Sequence, residues 1–165
     1  MKLTTAQIGR CGELLVQYEL LSRGVESAPM STDTGIDLVA YAPVSKLAIT
    51  IQVKTNYAAK PSGGKGAPLL DWWLRENSPA QLVALVDMTT PRIWLFTHQE
   101  LVDSAQQKAS SGLMHIFMKL EPARHRKDGK PQQVEDFDRF LIGKRISFLF
   151  GSEGQLDYLP AVPSP

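Results

Sequence analysis

Cysteine is nearly absent from this chain of 165 residues, which contains Cys11 alone. One thiol cannot form an internal disulfide, so a disulfide-stapled scaffold is excluded and a reducing, cytoplasmic location is expected. Long apolar runs are missing too, because no stretch approaches the roughly 20 apolar residues of a membrane-spanning helix. The first residues, 1–7, are followed by no apolar core of a signal peptide. We therefore expect a protein without membrane attachment.

An excess of charge of one sign is also missing. The 18 Lys and Arg residues nearly balance the 17 Asp and Glu residues, which leaves a formal net charge of +1. Domains that bind DNA are often strongly basic, so the overall charge does not point to nucleic acid. A local basic patch would still serve, because counterion release depends on the cations that face the phosphates. The densest positive segment, 124–130, is either a solvated loop or a DNA contact.

The length fits a single domain with a sizeable hydrophobic core. No internal repeat and no linker divides the chain, so residues 1–158 are predicted to form one domain. Residues 159–165 include three prolines and are predicted to be a flexible C-terminal tail.

A cluster of polar residues occurs where two predicted strands meet. The segments 36–41 and 47–55 are apolar, β-branched runs separated by a Pro- and Ser-containing link, a pattern typical of a β-hairpin. Side-chain alternation places Gln52 and Lys54 on one face of the second strand, about 7 Å apart. Asp37 opens the first strand. Paired strands would therefore bring an acid, an amide and an ammonium group together, which suits a divalent metal and a phosphate.

A helix is predicted over residues 4–23, with a threonine cap at its start and Gly24 as its stop. One stripe of this helix is apolar and consists of Cys11, Leu14, Leu15, Tyr18 and Leu21. Glu13 lies outside that stripe, on a second apolar side, so we expect packing on two sides and a partly buried Glu13. A buried carboxylate needs a partner or a metal. The alternative is a solvated Glu13, or one paired with Arg10 or Gln17.

Asp37, followed by Gln52-Val53-Lys54 at the end of a strand and preceded by Glu13 on a helix, resembles the PD-(D/E)XK nuclease superfamily. The resemblance spans residues 8–55, and its nearest forms are the Holliday-junction resolvases and the Mrr-like restriction endonucleases. It implies an α/β, restriction-endonuclease-like core with a mixed central β-sheet flanked by helices, in the order αβββαβ. One departure is plain, since Gln52 occupies a position usually held by Asp or Glu.

The resemblance implies a metal-dependent endonuclease that hydrolyses DNA phosphodiester bonds, with Glu13, Asp37, Gln52 and Lys54 as its catalytic residues. Glu13, Asp37, the Gln52 amide and the Val53 carbonyl would hold Mg²⁺ or Mn²⁺. Lys54 would orient the attacking water or neutralise developing charge. DNA is the implied partner, and superfamily members often act as homodimers.

Two other functions stay open. The chain is either a catalytically inactive nuclease-fold subunit that binds nucleic acid, or a protein-interaction domain with no nucleic-acid role. No second DNA-reading motif is present in the sequence. Recognition of nucleic-acid structure, ends or modification is therefore expected in place of sequence-specific cutting.

The remaining segments complete the expected fold. A short helix is predicted at 69–77, where the tryptophans Trp72 and Trp73 would serve core or dimer packing, or stack on bases; Trp94 is a further candidate for a dimer interface. The other predicted elements are strands at 25–30, 81–88, 93–96 and 114–120, helices at 97–108 and 135–141, and a short strand or apolar tail at 145–150.

Overall fold

The computed structural model describes residues 2–32, 34–121 and 129–151. The predicted tail 159–165 and most of the basic segment 124–130 lie outside these residues. The strands are β1 (Glu26–Pro29), β2 (Leu38–Ala42), β3 (Leu47–Asn56), β4 (Lys60–Pro61), β5 (Pro68–Arg75), β6 (Leu82–Asp87), β7 (Arg92–Thr97), β8 (Gln107–Lys108) and β9 (Leu113–Lys119). The helices are α1 (Thr5–Leu21), α2 (His98–Ser104) and α3 (Ile142–Phe150), with 3₁₀ turns at Ser62–Gly64 and Val134–Phe140.

A five-stranded mixed sheet forms the centre of the molecule, in the order β1-β2-β3-β6-β7. The pair β3–β6 is parallel and the other neighbours are antiparallel. The predicted hairpin of β2 and β3 is present, and Leu38 pairs with Ile51 at the end of β2. β6 is buried along its whole length, as its continuous apolar run predicts for a strand covered on both faces. The predicted mixed sheet flanked by helices is confirmed.

Helices α1 and α3 cover one face of this sheet. Val16 and Leu20 of α1 pack with alternate residues of β3, including Ile49, Ile51 and Val53. The side-chain alternation predicted for β3 is therefore correct, since these residues share the buried face. The expected strand or tail at 145–150 was wrong, because Ile142–Phe150 is helical. Its core residues recur at helical spacing, and they are Ile142, Ile146, Leu149 and Phe150.

A second sheet covers much of the opposite face. Its order is β4-β5-β9-β8, and β5 pairs with β9 over the full length of β5. The prediction of a helix at 69–77 was wrong. This helix would have been the second helix of the αβββαβ order. This segment is strand β5, in which Leu70, Trp72 and Leu74 alternate inward while Trp73 and Arg75 face outward. The connection from β3 to its parallel neighbour β6 therefore passes through a strand of the second sheet.

Helix α1 packs on the sheet through its smaller side chains. The predicted threonine cap is Thr4, and it forms a capping box with Gln7. The buried positions are Gly12, Val16 and Leu20. The expectation of packing on two sides was wrong, because three residues of the larger apolar stripe are exposed, namely Leu14 (51%), Tyr18 (65%) and Leu21 (64%). Packing follows the glycine-containing side because it lets the helix approach the sheet closely.

The helix predicted after Thr97 is also present, with the expected capping box to Glu100, but it ends at Ser104. Residues Gln107–Lys108 form the short strand β8. Across the part of the chain that the structure describes, no helix is both long enough and apolar enough to span a membrane.

Candidate active site

Asp37 lies immediately before β2 and is tied to β3 twice. Its backbone N–H donates to the Ile51 carbonyl at 3.0 Å, which extends the β2–β3 ladder by one residue. Its carboxylate oxygen Oδ2 accepts the next backbone donor along β3, the Val53 N–H, at 2.6 Å. The Asp37 carbonyl in turn accepts from Met30 N–H at 2.9 Å. The carboxylate therefore has a fixed position beside β3, where the β2 backbone has ended.

The Val53 carbonyl points toward the same place. Backbone groups two residues apart in an antiparallel strand face the same neighbour, so the Val53 carbonyl faces the side on which the Ile51 carbonyl meets Asp37. A main-chain oxygen and the carboxylate of Asp37 thus lie next to each other at the start of β2.

Glu13 approaches this place from α1. Its carboxylate forms an ion pair with Arg10 at 2.7 Å, and its side chain is 24% exposed. Both expectations for Glu13 are therefore correct in part. Its side chain is partly buried, and its carboxylate is also paired with Arg10. An exposed ion pair one helical turn apart contributes little to stability, so it does not prevent Glu13 from binding another ligand.

Glu13, Asp37, Val53 and Lys54 line one open cleft of about 480 Å³, which we name the carboxylate cleft. Its remaining lining residues are Thr5, Ala6, Gly9, Met30, Ser31, Thr32 and Ile36. Ser31 and Thr32 carry hydroxyls that can donate hydrogen bonds to a phosphate. The next residue in the sequence, Asp33, lies outside the described residues. The structure thus brings most of the predicted site residues to one surface.

Gln52 lies elsewhere. It borders a neighbouring cleft of about 420 Å³, which we name the tryptophan cleft. That cleft is lined by Thr34, Gly35, Gln52, Lys54, Trp73, Leu74, Arg75, Asn77, Ser78, Pro79 and Leu113. The Gln52 side chain is nearly buried, and its amide oxygen accepts a hydrogen bond from the Ser78 hydroxyl at 3.1 Å. Lys54 lines both clefts, so it connects Gln52 with the carboxylates.

The potential ligands in the carboxylate cleft are oxygens. Within residues 2–32, 34–121 and 129–151 there is no group of three or more His, Cys, Asp or Glu side chains that could hold a metal ion. The strongest donors among the described lining residues are the two carboxylates and the Val53 carbonyl, beside the hydroxyls of Ser31 and Thr32. Such an oxygen set suits Mg²⁺, which commonly uses one or two carboxylates and keeps waters or substrate phosphates as its other ligands.

Sequence reasoning missed Ser78 and Arg75 as neighbours of the site, and it considered Trp73 for base stacking without predicting where the residue lies. The predicted helix at 69–77 did not indicate on which side of the sheet the two tryptophans lie. The alternation of Leu70, Trp72 and Leu74 with polar or exposed residues is the signal that would have revealed β5. The prediction that Trp72 and Trp94 lie in a dimer interface was wrong, because both side chains are buried in the core.

The mixed sheet, the helices on it and the cleft at the start of β2 define a restriction-endonuclease-like α/β fold. Among solved structures, the chain is similar to the bacterial homing endonuclease I-Ssp6803I, with a TM-score of 0.54 and 16% identity over 77% of this chain and 86% of that chain. It also matches Hjc, a Holliday junction resolvase from Archaeoglobus fulgidus, with a TM-score of 0.46 and 17% identity over 66% of this chain and 82% of that one. No family model and no curated protein matches the chain. The likeness to the homing endonuclease confirms the predicted fold.

Proposed function

We propose that this protein is a metal-dependent endonuclease that hydrolyses DNA phosphodiester bonds, with residues 1–158 as its single domain. The observation that carries the proposal is the hydrogen bond from Val53 N–H to the Asp37 carboxylate, in a cleft that Lys54 also lines. This bond keeps the Asp37 carboxylate beside Val53, and Lys54 lines the same open cleft. A nuclease needs these groups around a scissile phosphate.

In this proposal Glu13, Asp37 and the Val53 carbonyl hold Mg²⁺ or Mn²⁺. When bound, such an ion lowers the pKa of a coordinated water and stabilises negative charge on the phosphate. The fit rests on the donors, which are all oxygens and which border an open cleft with room for a phosphate. Asp37 would act from a fixed position, because the Val53 N–H already orients its carboxylate.

Lys54 acts on the substrate. It forms no ion pair with any residue in the described part of the chain, so its ammonium group is available to a ligand. From the rim shared by the two clefts, it would bind a non-bridging phosphate oxygen or orient the attacking water. An ammonium group that is already in place stabilises charge as that charge develops, which is the usual origin of large electrostatic rate effects.

In this proposal Gln52 would join the metal ligands through the second lone pair of its amide oxygen, since that oxygen already accepts a hydrogen bond from the Ser78 hydroxyl. This bond favours a second candidate function, a catalytically inactive nuclease-fold subunit that binds nucleic acid or another protein. In that subunit Gln52 would be structural, and the cleft would bind a ligand without cleaving it.

The test is cleavage of a panel of supercoiled plasmid, linear duplex, single strand, flap and four-way junction, each with Mg²⁺, Mn²⁺ or EDTA. Wild type would be compared with Asp37→Asn and Lys54→Ala. Asp103→Asn on α2 and Lys144→Ala on α3 are controls that make the same changes away from the cleft. Metal-dependent cutting that is lost in the first pair and kept in the controls supports the proposal.

Binding without cutting of any substrate would instead favour the inactive subunit. The absence of both binding and cutting would favour the protein-interaction domain. Sedimentation of the same samples would establish whether the protein is the homodimer that we also propose.

A further inference from the structure

The second sheet presents an exposed aromatic ring beside the candidate active site. Trp73 is 49% exposed, whereas its neighbour Trp72 is 3% exposed and packs in the core. Adjacent residues of a strand face opposite sides of the sheet, which is why two consecutive tryptophans have opposite surroundings. The large apolar surface of Trp73 is thus left for something other than the core.

The Trp73 ring has a fixed orientation. It stacks on His115, with ring centroids 4.2 Å apart and an interplanar angle of 4°. Gln107 Oε1 lies 3.3 Å from the imidazole Nδ1, and the Asp71 carboxylate lies 3.5 Å from Nε2 without forming a hydrogen bond to it. Trp73 lines the tryptophan cleft, and His115 is not among the described residues that line it. A ring held in this way is preorganised for a second stacking partner.

The tryptophan cleft also has the charge that a nucleotide requires. Lys54 and Arg75 line it, and no carboxylate is present among its described lining residues. Gln52 and Asn77 add amide groups that can donate and accept hydrogen bonds. The volume of about 420 Å³ is typical of small-ligand sites, which span about 300–1,000 Å³.

We propose that the tryptophan cleft binds an unpaired nucleobase, stacked on Trp73, next to the phosphodiester that would be cleaved at the carboxylate cleft. Lys54 lines both clefts and would contact the phosphate between the two. Stacking suits any base, because every base has a π-face. This inference rests on the proposed function and restricts its substrate to nucleic acid that has an unpaired nucleotide at the cleavage site. A continuous duplex would first have to unstack a base, which costs free energy.

The experiment is titration of a fluorescein-labelled oligothymidylate with wild type, Trp73→Ala, Trp73→Phe and Tyr41→Ala, in EDTA so that no cleavage occurs. Trp73→Ala is expected to raise the dissociation constant by between about 5-fold and about 150-fold. Trp73→Phe keeps an aromatic face and should retain more affinity than the alanine variant. Tyr41→Ala removes an exposed aromatic ring of the other sheet, away from the clefts, and should bind as wild type does.

Intrinsic fluorescence gives a second readout with unlabelled oligothymidylate. Trp72 and Trp94 are buried, so saturable quenching by the oligonucleotide is expected to come from Trp73 and to disappear in Trp73→Phe, even though that variant still binds. Absence of quenching in wild type, or equal affinities of wild type and Trp73→Ala, overturns the proposal. A change of solution mass in Trp73→Ala, without loss of affinity, would identify Trp73 as a subunit contact and overturn it too.

Asp37→Asn separates this inference from the proposed function. If Asp37→Asn and wild type bind oligothymidylate with Trp73-dependent quenching but neither cleaves any substrate, the stacking site stands and the nuclease proposal fails. If wild type cleaves DNA in a metal-dependent manner and Trp73→Ala binds and cleaves equally well, the nuclease proposal stands and the stacking site fails.

Discussion

Gln52 is the residue at which the chain departs from the superfamily pattern, and its neutral amide leaves the site with one negative charge fewer. A neutral amide binds a hard cation more weakly than a carboxylate does, so we expect activity to require millimolar metal. Mn²⁺ should support more activity than Mg²⁺, which gives up its waters reluctantly. Comparable activity with both ions at low concentration would contradict this expectation.

Gln52→Glu restores the missing charge beside Lys54. We expect it to lower the metal concentration for half-maximal cleavage by at least about tenfold, the size of effect that groups around a metal ligand commonly have. Metal titration of cleavage would measure this shift. Gln99→Glu on α2 makes the same change of charge on an exposed side chain far from the cleft and should leave the titration unchanged. A parallel shift in both variants would show that only the net charge matters.

The Asp37 carboxylate has a structural role that can be separated from catalysis. Asp37→Asn keeps an oxygen that can accept the Val53 N–H, whereas Asp37→Ala leaves that backbone donor without its partner. The alanine variant is therefore expected to lose about 1–3 kcal/mol in the free energy of unfolding, and the asparagine variant much less. Urea unfolding would measure both, and both should be inactive. An alanine variant as stable as wild type would show that the hydrogen bond does not position Asp37.

Much of the candidate site could be predicted at the scale of residues, because its residues belong to one hairpin and lie close together in the sequence. Asp37 lies directly before one strand of a hairpin and Val53 and Lys54 lie in the second half of the other, so hairpin pairing alone brings them together. The partner of Gln52 could not be predicted in this way. Ser78 follows Gln52 by 26 residues and reaches it only through the path of β5, which depends on tertiary packing.

At the scale of elements, the position of the cleft depends on how closely α1 approaches β3. Gly12 is buried against Thr55, and a Cβ atom added there would overlap the threonine side chain. Gly12→Ala is therefore expected to destabilise the protein by about 1–3 kcal/mol, as overpacked cores do. It should also reduce cleavage, because the adjacent Glu13 moves with the helix.

Gly9→Ala is the matched control, since a Cβ atom at Gly9 meets nothing within 4 Å. This substitution should leave stability unchanged or raise it by up to about 1 kcal/mol, through the higher helix propensity of alanine. Urea unfolding would be measured for both variants, and the rate of cleavage for Gly12→Ala against wild type, because Gly9 itself lines the carboxylate cleft. Similar losses in the two would mean that helix propensity, and not contact with Thr55, determines the effect.

Elements with one strong pattern were predictable, and elements with mixed patterns were not. The all-apolar run of β6, the threonine cap of α1 and the cap of α2 at Thr97 led to correct predictions. In β5 the adjacent Trp72 and Trp73 concealed a two-residue alternation, because both are large and aromatic while only one is buried. In α1 the larger apolar stripe was expected to pack, but it is largely exposed. Close approach of the helix to the sheet favours the side that contains Gly12.

At the scale of the whole molecule, two sheets meet where β3 gives way to β5. The chain passes from β3 into the second sheet and returns in β6, parallel to β3. The side chain of Asn56, at the end of β3, donates to the Asp71 carbonyl of β5 at 2.6 Å and links the two sheets. The tryptophan cleft results from this arrangement, because β3 contributes Gln52 and Lys54 while β5 contributes Trp73 and Arg75. The amino-acid composition alone does not predict this cleft.

A net charge of +1 means that any binding to nucleic acid must come from local cations. Two to four phosphate contacts would give a slope of log K against log salt concentration of roughly −2 to −4 on duplex DNA. Lys54→Ala and Arg75→Ala are each expected to make this slope shallower by about one, because each removes one phosphate contact. Lys144→Ala, an exposed lysine on α3, should leave the slope unchanged. Binding isotherms at several salt concentrations in EDTA would measure it, and salt-independent binding in every variant would mean that the protein does not contact phosphates through these clefts.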